Sequence, residues 1–184
     1  MMNRKLLITL CLLPMAAFAR LGESEAQIEQ RYGDGTQVTG PGRGIWIPNM
    51  KAGHLMKSDR KAVDLRRYKL AGVAVYAAFF KNSYGSVVVG EIFYGFPRDM
   101  KDGSEEQSKL IETWFQINSD GHEWTEVNKY TGEHKRLGAT AAYSLIVLKG
   151  FSFCSEEYAT HVDKLLKKAA EQSASEVNDA IGGF

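Results

Sequence analysis

The chain has 184 residues and a formal net charge of +1, with 23 Lys and Arg side chains against 22 Asp and Glu. This balance lacks the basic excess with which proteins neutralise nucleic-acid phosphates, so we expect no nucleic-acid partner. With 44% hydrophobic and 11% aromatic residues, the chain has enough apolar side chains to form a folded core. The composition excludes collagen-like and Pro-rich disordered proteins and predicts an ordinary globular one.

The first residues, 1–19, have the pattern of a secretory signal peptide. Arg4 and Lys5 precede an apolar run over 6–18, and the small residues Ala17 and Ala19 stand at positions −3 and −1 of a cleavage site. The run is shorter than the about 20 apolar residues that a transmembrane helix needs. We therefore expect cleavage near Ala19 and export to the periplasm or the exterior.

Cleavage after Ala19 would change both the charge and the cysteine content. Residues 20–184 contain 21 basic against 22 acidic side chains, and Cys154 is the only cysteine left, so an intrachain disulfide is excluded. Cys11 follows Leu10, whereas a lipoprotein signal places a small residue directly before its cysteine. We expect a soluble mature chain without a lipid anchor, because no second apolar run reaches the length of a membrane span.

The pattern in the first half of the mature chain predicts a helix, a long loop and a β meander. Ser24 and Gln27 have the spacing of a capping box, which predicts a helix over about 24–32 that ends at Gly33. A glycine-rich segment follows, and we interpret it as a long loop over 34–57 with at most one short strand. Three runs rich in Val, Tyr and Phe then predict antiparallel strands over 63–69, 73–81 and 86–94. The second run is apolar on both faces, which is typical of a central strand covered on both sides.

The second half repeats this order. Ser104 and Gln107 predict a helix over 105–118. Strands are predicted over 124–129 and 133–140 with a turn at 130–132 between them, and an apolar run over 143–149 extends this second β series. Ser155 caps the last helix, whose apolar residues recur at helical spacing: Tyr158, Val162, Leu165, Leu166 and Ala169.

This order of elements predicts an α+β fold in which antiparallel meanders pack against two or three helices. We interpret residues 20–184 as a single α+β domain. Two helix-plus-meander halves, over 24–96 and 104–170, are a possible duplication.

No motif assigns a catalytic, cofactor-binding or metal-ligating residue, and we expect no cofactor. Ser58 and Lys61 have the Ser-x-x-Lys spacing of some nucleophilic serines, but this composition produces about one such match by chance. The four histidines, at positions 54, 122, 134 and 161, lie in separate segments without zinc-site spacing.

The last helix holds two further combinations of chemistry-bearing side chains. Glu157 and His161 stand one turn apart, and we interpret them as an ordinary surface pair rather than as two metal ligands. Cys154 and His161 are separated by about 10 Å of helix, which is too far for a thiolate and its base. Cys154 is therefore predicted to be a small buried hydrophobe.

Two segments could bind an anion. Residues 57–69 contain six basic side chains against two acidic ones, which would suit an anionic lipid or glycan, but Arg66 and Arg67 are adjacent in a strand and should point to opposite faces. Exposed charges that prevent edge pairing explain this segment equally well. The glycines of 40–44 resemble a phosphate loop but lack the Lys-Ser/Thr that follows one, and Trp46 is predicted to plug the core.

Both ends of the mature chain carry a resemblance. The opening Ala-Arg-Leu-Gly-Glu-Ser of 19–24, the Gln-Arg-Tyr-Gly of 30–33 and the closing Gly183-Phe184 resemble a group of uncharacterised small exported bacterial proteins. The opening helix that ends in Tyr-Gly before a meander is also similar to α+β modules of the β-lactamase-inhibitor-protein type and of the small lipoproteins of outer-membrane assembly. Those families bind proteins, but none of their functional residues matches a position here.

Three hypotheses for function follow. The first is an exported, non-catalytic protein that binds another protein or a component of the bacterial envelope. The second is an envelope enzyme, for example a hydrolase, whose residues converge only in three dimensions and therefore in a pocket. The third is binding of an anionic lipid or glycan through residues 57–69.

Overall fold

The computed structural model describes residues 20–38, 50–51, 63–70, 72–144 and 149–182. The predicted signal peptide therefore lies outside the described residues, as do the predicted features at 40–44, Trp46, His54 and Ser58–Lys61. Three helices and eight strands occupy the described part of the chain. In order they are α1 (Glu25–Tyr32), β1 (Thr36–Gln37), β2 (Asp64–Leu70), β3 (Val73–Lys81), β4 (Val87–Gly95), α2 (Glu105–Ile117), β5 (Thr125–Asn128), β6 (Glu133–Arg136), β7 (Ala139–Ser144), β8 (Gly150–Ser155) and α3 (Glu156–Gly182).

All eight strands join one antiparallel sheet, in the order β1-β2-β3-β4-β8-β7-β6-β5. The two meanders meet where β4 pairs with β8, with Glu91 opposite Cys154 and Gly95 opposite Gly150. Gly150 permits this close approach, because a Cβ atom there would lie 2.0 Å from the backbone oxygen of Tyr94. The antiparallel sheet and its helices confirm the predicted α+β class.

The helices cover both faces of the sheet. Ile28 of α1 and Trp114 of α2 pack in a core on one face, which we call the α1/α2 face. Tyr158 and Val162 of α3 pack in a second core on the opposite face, the α3 face. Strand β3 contributes alternate residues to both cores: Val75, Ala77 and Phe79 to the first, and Tyr76, Ala78 and Phe80 to the second. The prediction that this strand is covered on both sides is confirmed.

The predicted helix starts are also confirmed. The backbone N–H of Gln27 donates to Ser24 Oγ at 3.4 Å, and the N–H of Ser24 donates to the Gln27 side chain at 2.8 Å, which completes the capping box. Ser104 Oγ accepts from the N–H of Gln107 at 3.2 Å. Ser155 Oγ accepts in the same way from the N–H of Tyr158 at 3.2 Å.

The second β series differs from the prediction in three places. The predicted strand over 133–140 is wrong, because a turn at Leu137 and Gly138 divides it into β6 and β7, and Gly138 has a φ of 72°. Of the run predicted over 143–149, Tyr143 and Ser144 belong to β7, while 145–148 lie outside the described residues. Strand β8 was not predicted, because its apolar residues run directly into the cap of α3.

Two further observations concern the ends of segments. The segment predicted as a long loop with at most one short strand, over 34–57, holds the two-residue strand β1, which pairs with Arg66 and Arg67 of β2. Helix α3 continues to Gly182, well beyond its predicted apolar face. In the described part of the chain, none of the helices combines the length and apolarity needed to cross a membrane. The duplication of halves 24–96 and 104–170 stays a prediction.

Candidate functional site at the Tyr84 end of the sheet

Two turns lie at the same end of the sheet. One, over 82–86, joins β3 to β4; the other, at Leu137 and Gly138, joins β6 to β7. The register places them at the same end, because the end of β8 pairs with the start of β7 and reaches Glu91 at the middle of β4, so the β6–β7 turn lies on the side of the sheet where β4 begins. We call this the Tyr84 end, and we call the opposite end, which holds the β5–β6 turn, the Tyr130 end.

Most of the exposed large hydrophobic side chains among the described residues lie at the Tyr84 end. Tyr84 is 91% exposed, Leu137 73% and Val87 50%. Tyr130, at 98%, lies at the other end, near Val127, which is 53% exposed on the edge strand β5 where the register shifts at a bulge. A bulge on an edge strand discourages strand addition, so the edge is less suited to a partner than the Tyr84 end.

Tyr84 stands on a rigid turn. The side-chain oxygen of Asn82 accepts hydrogen bonds from the backbone N–H groups of Tyr84 at 3.1 Å and Ser86 at 2.9 Å. The N–H of Asn82 donates to the Ser86 carbonyl at 2.9 Å, and Gly85 takes a φ of 82° that glycine adopts without strain. The phenol ring is therefore held in the solvent by a backbone that has little freedom left.

The base of this hairpin is fastened to α3. The N–H of Ser83 donates to a carboxylate oxygen of Glu157 at 2.6 Å. The ring of Phe80 lies edge-on to Tyr158, with centroids 5.2 Å apart. Gly90 lets Tyr158 lie directly against β4, because a Cβ atom at position 90 would come within 2.5 Å of the phenol ring.

A cavity opens on each face of the sheet at this end. On the α3 face, a cavity of about 490 Å³ lies between the turn after β3 and the start of α3, and Lys81, Glu156, His161 and Lys164 are among its lining residues. Its charges are mixed. The cavity thus gives a partner several hydrogen-bonding groups beside the exposed Tyr84.

The cavity on the α1/α2 face measures about 320 Å³ and lies between Arg20, the segment 116–121 and Arg136. The Arg136 guanidinium donates to the Asn118 carbonyl at 2.7 Å and lies over the Trp124 ring, 5.3 Å from its centroid. Burial lowers the pKa of Arg136, and the charge of Asp120 opposes this effect. Arg136 thereby caps the carbonyl end of α2 and forms one wall of the cavity.

The first described residues complete the sheet at the same end. Strand β8 pairs with β4 only over 91–95, and residues 22–24 lie beside the part of β4 that precedes Gly90. The N–H of Gly22 donates to the Val89 carbonyl, and the N–H of Val89 donates to the Glu23 carbonyl, both at 2.8 Å. The N-terminal segment therefore pairs with the strand that leaves the Tyr84 hairpin.

Behind this end lies a buried carboxylate. Glu91 is 0% exposed, and its Oε1 accepts from the N–H of Lys51 at 2.9 Å and lies 3.5 Å from Ser152 Oγ. The Lys51 ammonium also reaches Asp163 of α3 at 2.8 Å. Glu91 thus fastens Met50 and Lys51 between the sheet and α3. Sequence reasoning missed this residue, because its partners are distant in sequence.

The structure keeps the predicted chemistry-bearing residues apart. His122 is exposed in a turn, whereas His134 packs against Phe115, 4.7 Å between ring centroids. Cys154 is buried, as predicted, and burial raises the pKa of its thiol, an effect that the nearby Glu91 increases. Among the residues with described positions, no three His, Cys, Asp or Glu side chains form a group that could hold a metal ion.

Glu157 and His161 have separate contacts rather than forming a pair. Glu157 accepts from the Ser83 backbone, and the His161 ring packs against Phe80, with centroids 5.6 Å apart. The two side chains therefore do not form the predicted surface pair. Both residues nevertheless line the cavity on the α3 face.

The basic segment 57–69 contributes no single patch in its described part. Arg66 contacts the carboxylates of Glu25, Glu29 and Asp64 on the α1/α2 side. Arg67 lies over the Tyr76 ring of the opposite core, 5.8 Å from its centroid. The prediction that the two arginines point to opposite faces is confirmed. The charge of Arg66 is already balanced by carboxylates of the same chain.

Comparisons with protein-family models, with curated proteins and with solved structures find no match for this chain.

Proposed function

We propose that this protein is exported and binds another protein of the bacterial envelope through its Tyr84 end. The observation that carries the proposal is the combination of Tyr84, 91% exposed on a hydrogen-bonded turn, with Val87 and Leu137 at an end where two cavities open. The export part rests on the signal-peptide pattern of residues 1–19. The resemblance to protein-binding α+β modules agrees with this function.

The energetics of such a contact favour Tyr84 as its centre. A tyrosine has only two side-chain torsions to immobilise, and the Asn82 hydrogen bonds have already ordered the backbone, so binding costs little further entropy. Aromatic residues at the centre of an interface often carry most of the binding free energy. Val87 and Leu137 would add apolar area at the same end of the sheet, and the mixed charges of the cavities would form a polar rim.

An envelope enzyme stays the alternative, and the cavity on the α3 face is the place where we would look for its site. His161 lines that cavity, and its Nε2 is buried with no hydrogen-bond partner among the described residues. Glu157, one helical turn before it, already accepts a hydrogen bond from the Ser83 N–H. Binding of an anionic lipid or glycan through 57–69 has less support, because Arg66 is held by three carboxylates.

The two exposed tyrosines allow a matched test. Immobilised chain of residues 20–184 is incubated with envelope extract in three forms: unchanged, Tyr84→Ala and Tyr130→Ala. We expect the unchanged chain and Tyr130→Ala to retain the same partner, and Tyr84→Ala to retain at least about tenfold less of it, the loss of a central aromatic contact. Equal retention by all three forms, or turnover of a defined substrate without any partner, would contradict the proposal.

A further inference from the structure

The carboxylate of Glu23 lies between two nitrogen groups at the start of the described chain. Its Oε2 accepts from the backbone N–H of Arg20 at 2.9 Å, and the same oxygen pairs with the guanidinium of Arg31. The Glu23 side chain is only 15% exposed and that of Arg31 19%. Water therefore screens the Glu23 and Arg31 side chains less than an ordinary surface pair, while the hydrogen bond from the Arg20 nitrogen lies at the surface.

Residue 20 is also held by its neighbours. The N–H of Leu21 donates to the Asn118 side chain at 3.3 Å, and Leu21 packs against the core of the α1/α2 face. Gly22 and Glu23 make the two backbone hydrogen bonds with Val89 that continue the sheet. The position of the Arg20 nitrogen relative to Glu23 is thus set by three consecutive residues.

We propose that cleavage after Ala19 creates an ion pair within the fold, between the new α-ammonium group of Arg20 and the carboxylate of Glu23. This inference rests on the proposed export, because a signal peptidase must make the cut. In the uncleaved chain the same nitrogen belongs to a neutral amide and offers Glu23 one N–H. After cleavage it carries a full positive charge at the same place.

The chemistry of the step balances with water as the only co-reactant. Hydrolysis breaks the bond between the Ala19 carbonyl carbon and the Arg20 nitrogen. The carbonyl carbon takes the hydroxyl of water and becomes a carboxylate, which leaves with residues 1–19. The nitrogen takes up the two protons and becomes an ammonium group, so a hydrogen bond from a neutral N–H to the Glu23 carboxylate becomes an ion pair between two charged groups.

The consequence is a mature form that is fastened more tightly than its precursor at the Tyr84 end. The pair forms beside the strand segment that follows the Tyr84 turn, and the Arg20 residue lines the cavity of the α1/α2 face. Removal of the export signal would therefore also add a charge pair to the proposed binding end.

The pH dependence of this pair depends on all the charges around it. Besides Glu23, which precedes α1, and Arg31 of its last turn, two further charged residues line the cavity that Arg20 borders: Asp120 after α2 and Arg136 of β6. A free α-amino group has a pKa of about 7.7–8.0, and a carboxylate partner raises it. If folding raises the pKa of the α-amino group, the ion pair contributes fully to the free energy of unfolding below about pH 7.7. This contribution is lost as the pH rises through the pKa that the amino group has in the folded chain.

The test compares two forms of the chain 20–184 that differ only in the N-terminal group: one with a free amine at Arg20, the other acetylated there. We expect the free form to have a thermal midpoint about 2 °C higher at pH 6.5, the shift that a charge pair of this kind gives in a chain of this size. At pH 10 we expect the difference to disappear.

Two substitutions separate this pair from general charge effects. In the Glu23→Gln variant we expect the free and acetylated forms to have the same thermal midpoint. Glu25→Gln removes a neighbouring carboxylate that contacts Arg66 instead, and in this variant the difference in midpoint should persist. Equal midpoints for the free and acetylated forms at pH 6.5, or a difference that survives Glu23→Gln, would overturn the proposal. The N-terminal sequence of the protein recovered from the envelope tests the export separately, because the midpoint comparison needs no export.

Discussion

The turns at Tyr84 and Tyr130 have the same local chemistry and different surroundings. In each, the side chain of an asparagine two residues earlier accepts the backbone N–H of the tyrosine, at 3.1 Å for Tyr84 and 3.0 Å for Tyr130. A glycine with positive φ follows in each, and both rings are more than nine-tenths exposed. Among the described residues, Tyr84 has Val87, Leu137 and two cavities at its end of the sheet, whereas Tyr130 has the exposed Val127 near it.

This difference shows what local and distant sequence each contribute to a surface. Asparagine, tyrosine and glycine at turn spacing are sufficient to present an aromatic ring to solvent. The surroundings of that ring depend on pairing over long distances, here of β4 with β8 and with residues 22–24. The Tyr130 turn therefore serves as an internal control for every experiment on the Tyr84 turn.

The largest effect on stability is expected from Gly90→Ala, which disrupts the packing of Tyr158 against β4 at the base of the Tyr84 hairpin. The new Cβ would lie 2.5 Å from the Tyr158 ring, so α3 must move away from the sheet, and we expect a loss of about 3 kcal/mol in the free energy of unfolding. Urea denaturation measures it. Movement of α3 should also expose the buried Cys154 thiol to alkylation.

Gly72→Ala is the matched control at the Tyr130 end. Gly72 has a φ of +90° and nothing within 4 Å of an added Cβ, so only backbone strain of about 1–2 kcal/mol is expected there. Equal losses from the two substitutions would mean that the contact between Tyr158 and β4 does not support the hairpin.

Glu91→Ala should have the next largest effect, because it removes the acceptor of the Lys51 N–H behind the Tyr84 end. A part-buried donor left without a partner costs about 2 kcal/mol. Glu91→Gln keeps an oxygen at that place and should cost less. We expect limited proteolysis to cut near Lys51 faster in Glu91→Ala than in Glu91→Gln, and identical cleavage rates would refute the role of this carboxylate in fastening Met50 and Lys51.

Asn82→Ala and Asn128→Ala test the turns themselves, with a smaller effect. Each substitution removes two side-chain acceptor hydrogen bonds, to Tyr84 and Ser86 in one turn and to Tyr130 and Thr131 in the other. We expect each to lower stability by about 1 kcal/mol. Only Asn82→Ala should weaken retention of the envelope partner. A matched loss of retention in Asn128→Ala would remove the distinction between the two ends.

Much of the fold follows from local patterns in the sequence. The capping serines at 24, 104 and 155 mark the helix starts, because each places an oxygen where the first backbone N–H groups need an acceptor. Strand β3 has apolar residues on both of its faces, which indicates that it is buried on both sides. These signals act within a few residues, so they can be found without knowing the rest of the structure.

The candidate site could not be predicted in the same way. Strand β8 has no turn between it and α3, so its pattern merges with that of the helix. Glu91 is buried because Lys51 and Ser152 reach it from 40 and 61 residues away. The gathering of Tyr84, Val87 and Leu137 at one end likewise depends on strand order rather than on any local motif.

Site-specific photo-cross-linking tests the central claim most directly. A photoreactive phenylalanine analogue replaces Tyr84 in one form of the full chain and Tyr130 in another, and each form is irradiated in cells that express it. Because both positions are almost fully exposed, chance collisions should label them equally. We expect a discrete covalent adduct with one envelope protein from position 84 and none from position 130. Adducts of equal yield from both positions, or a specific adduct from position 130 alone, would contradict binding through the Tyr84 end.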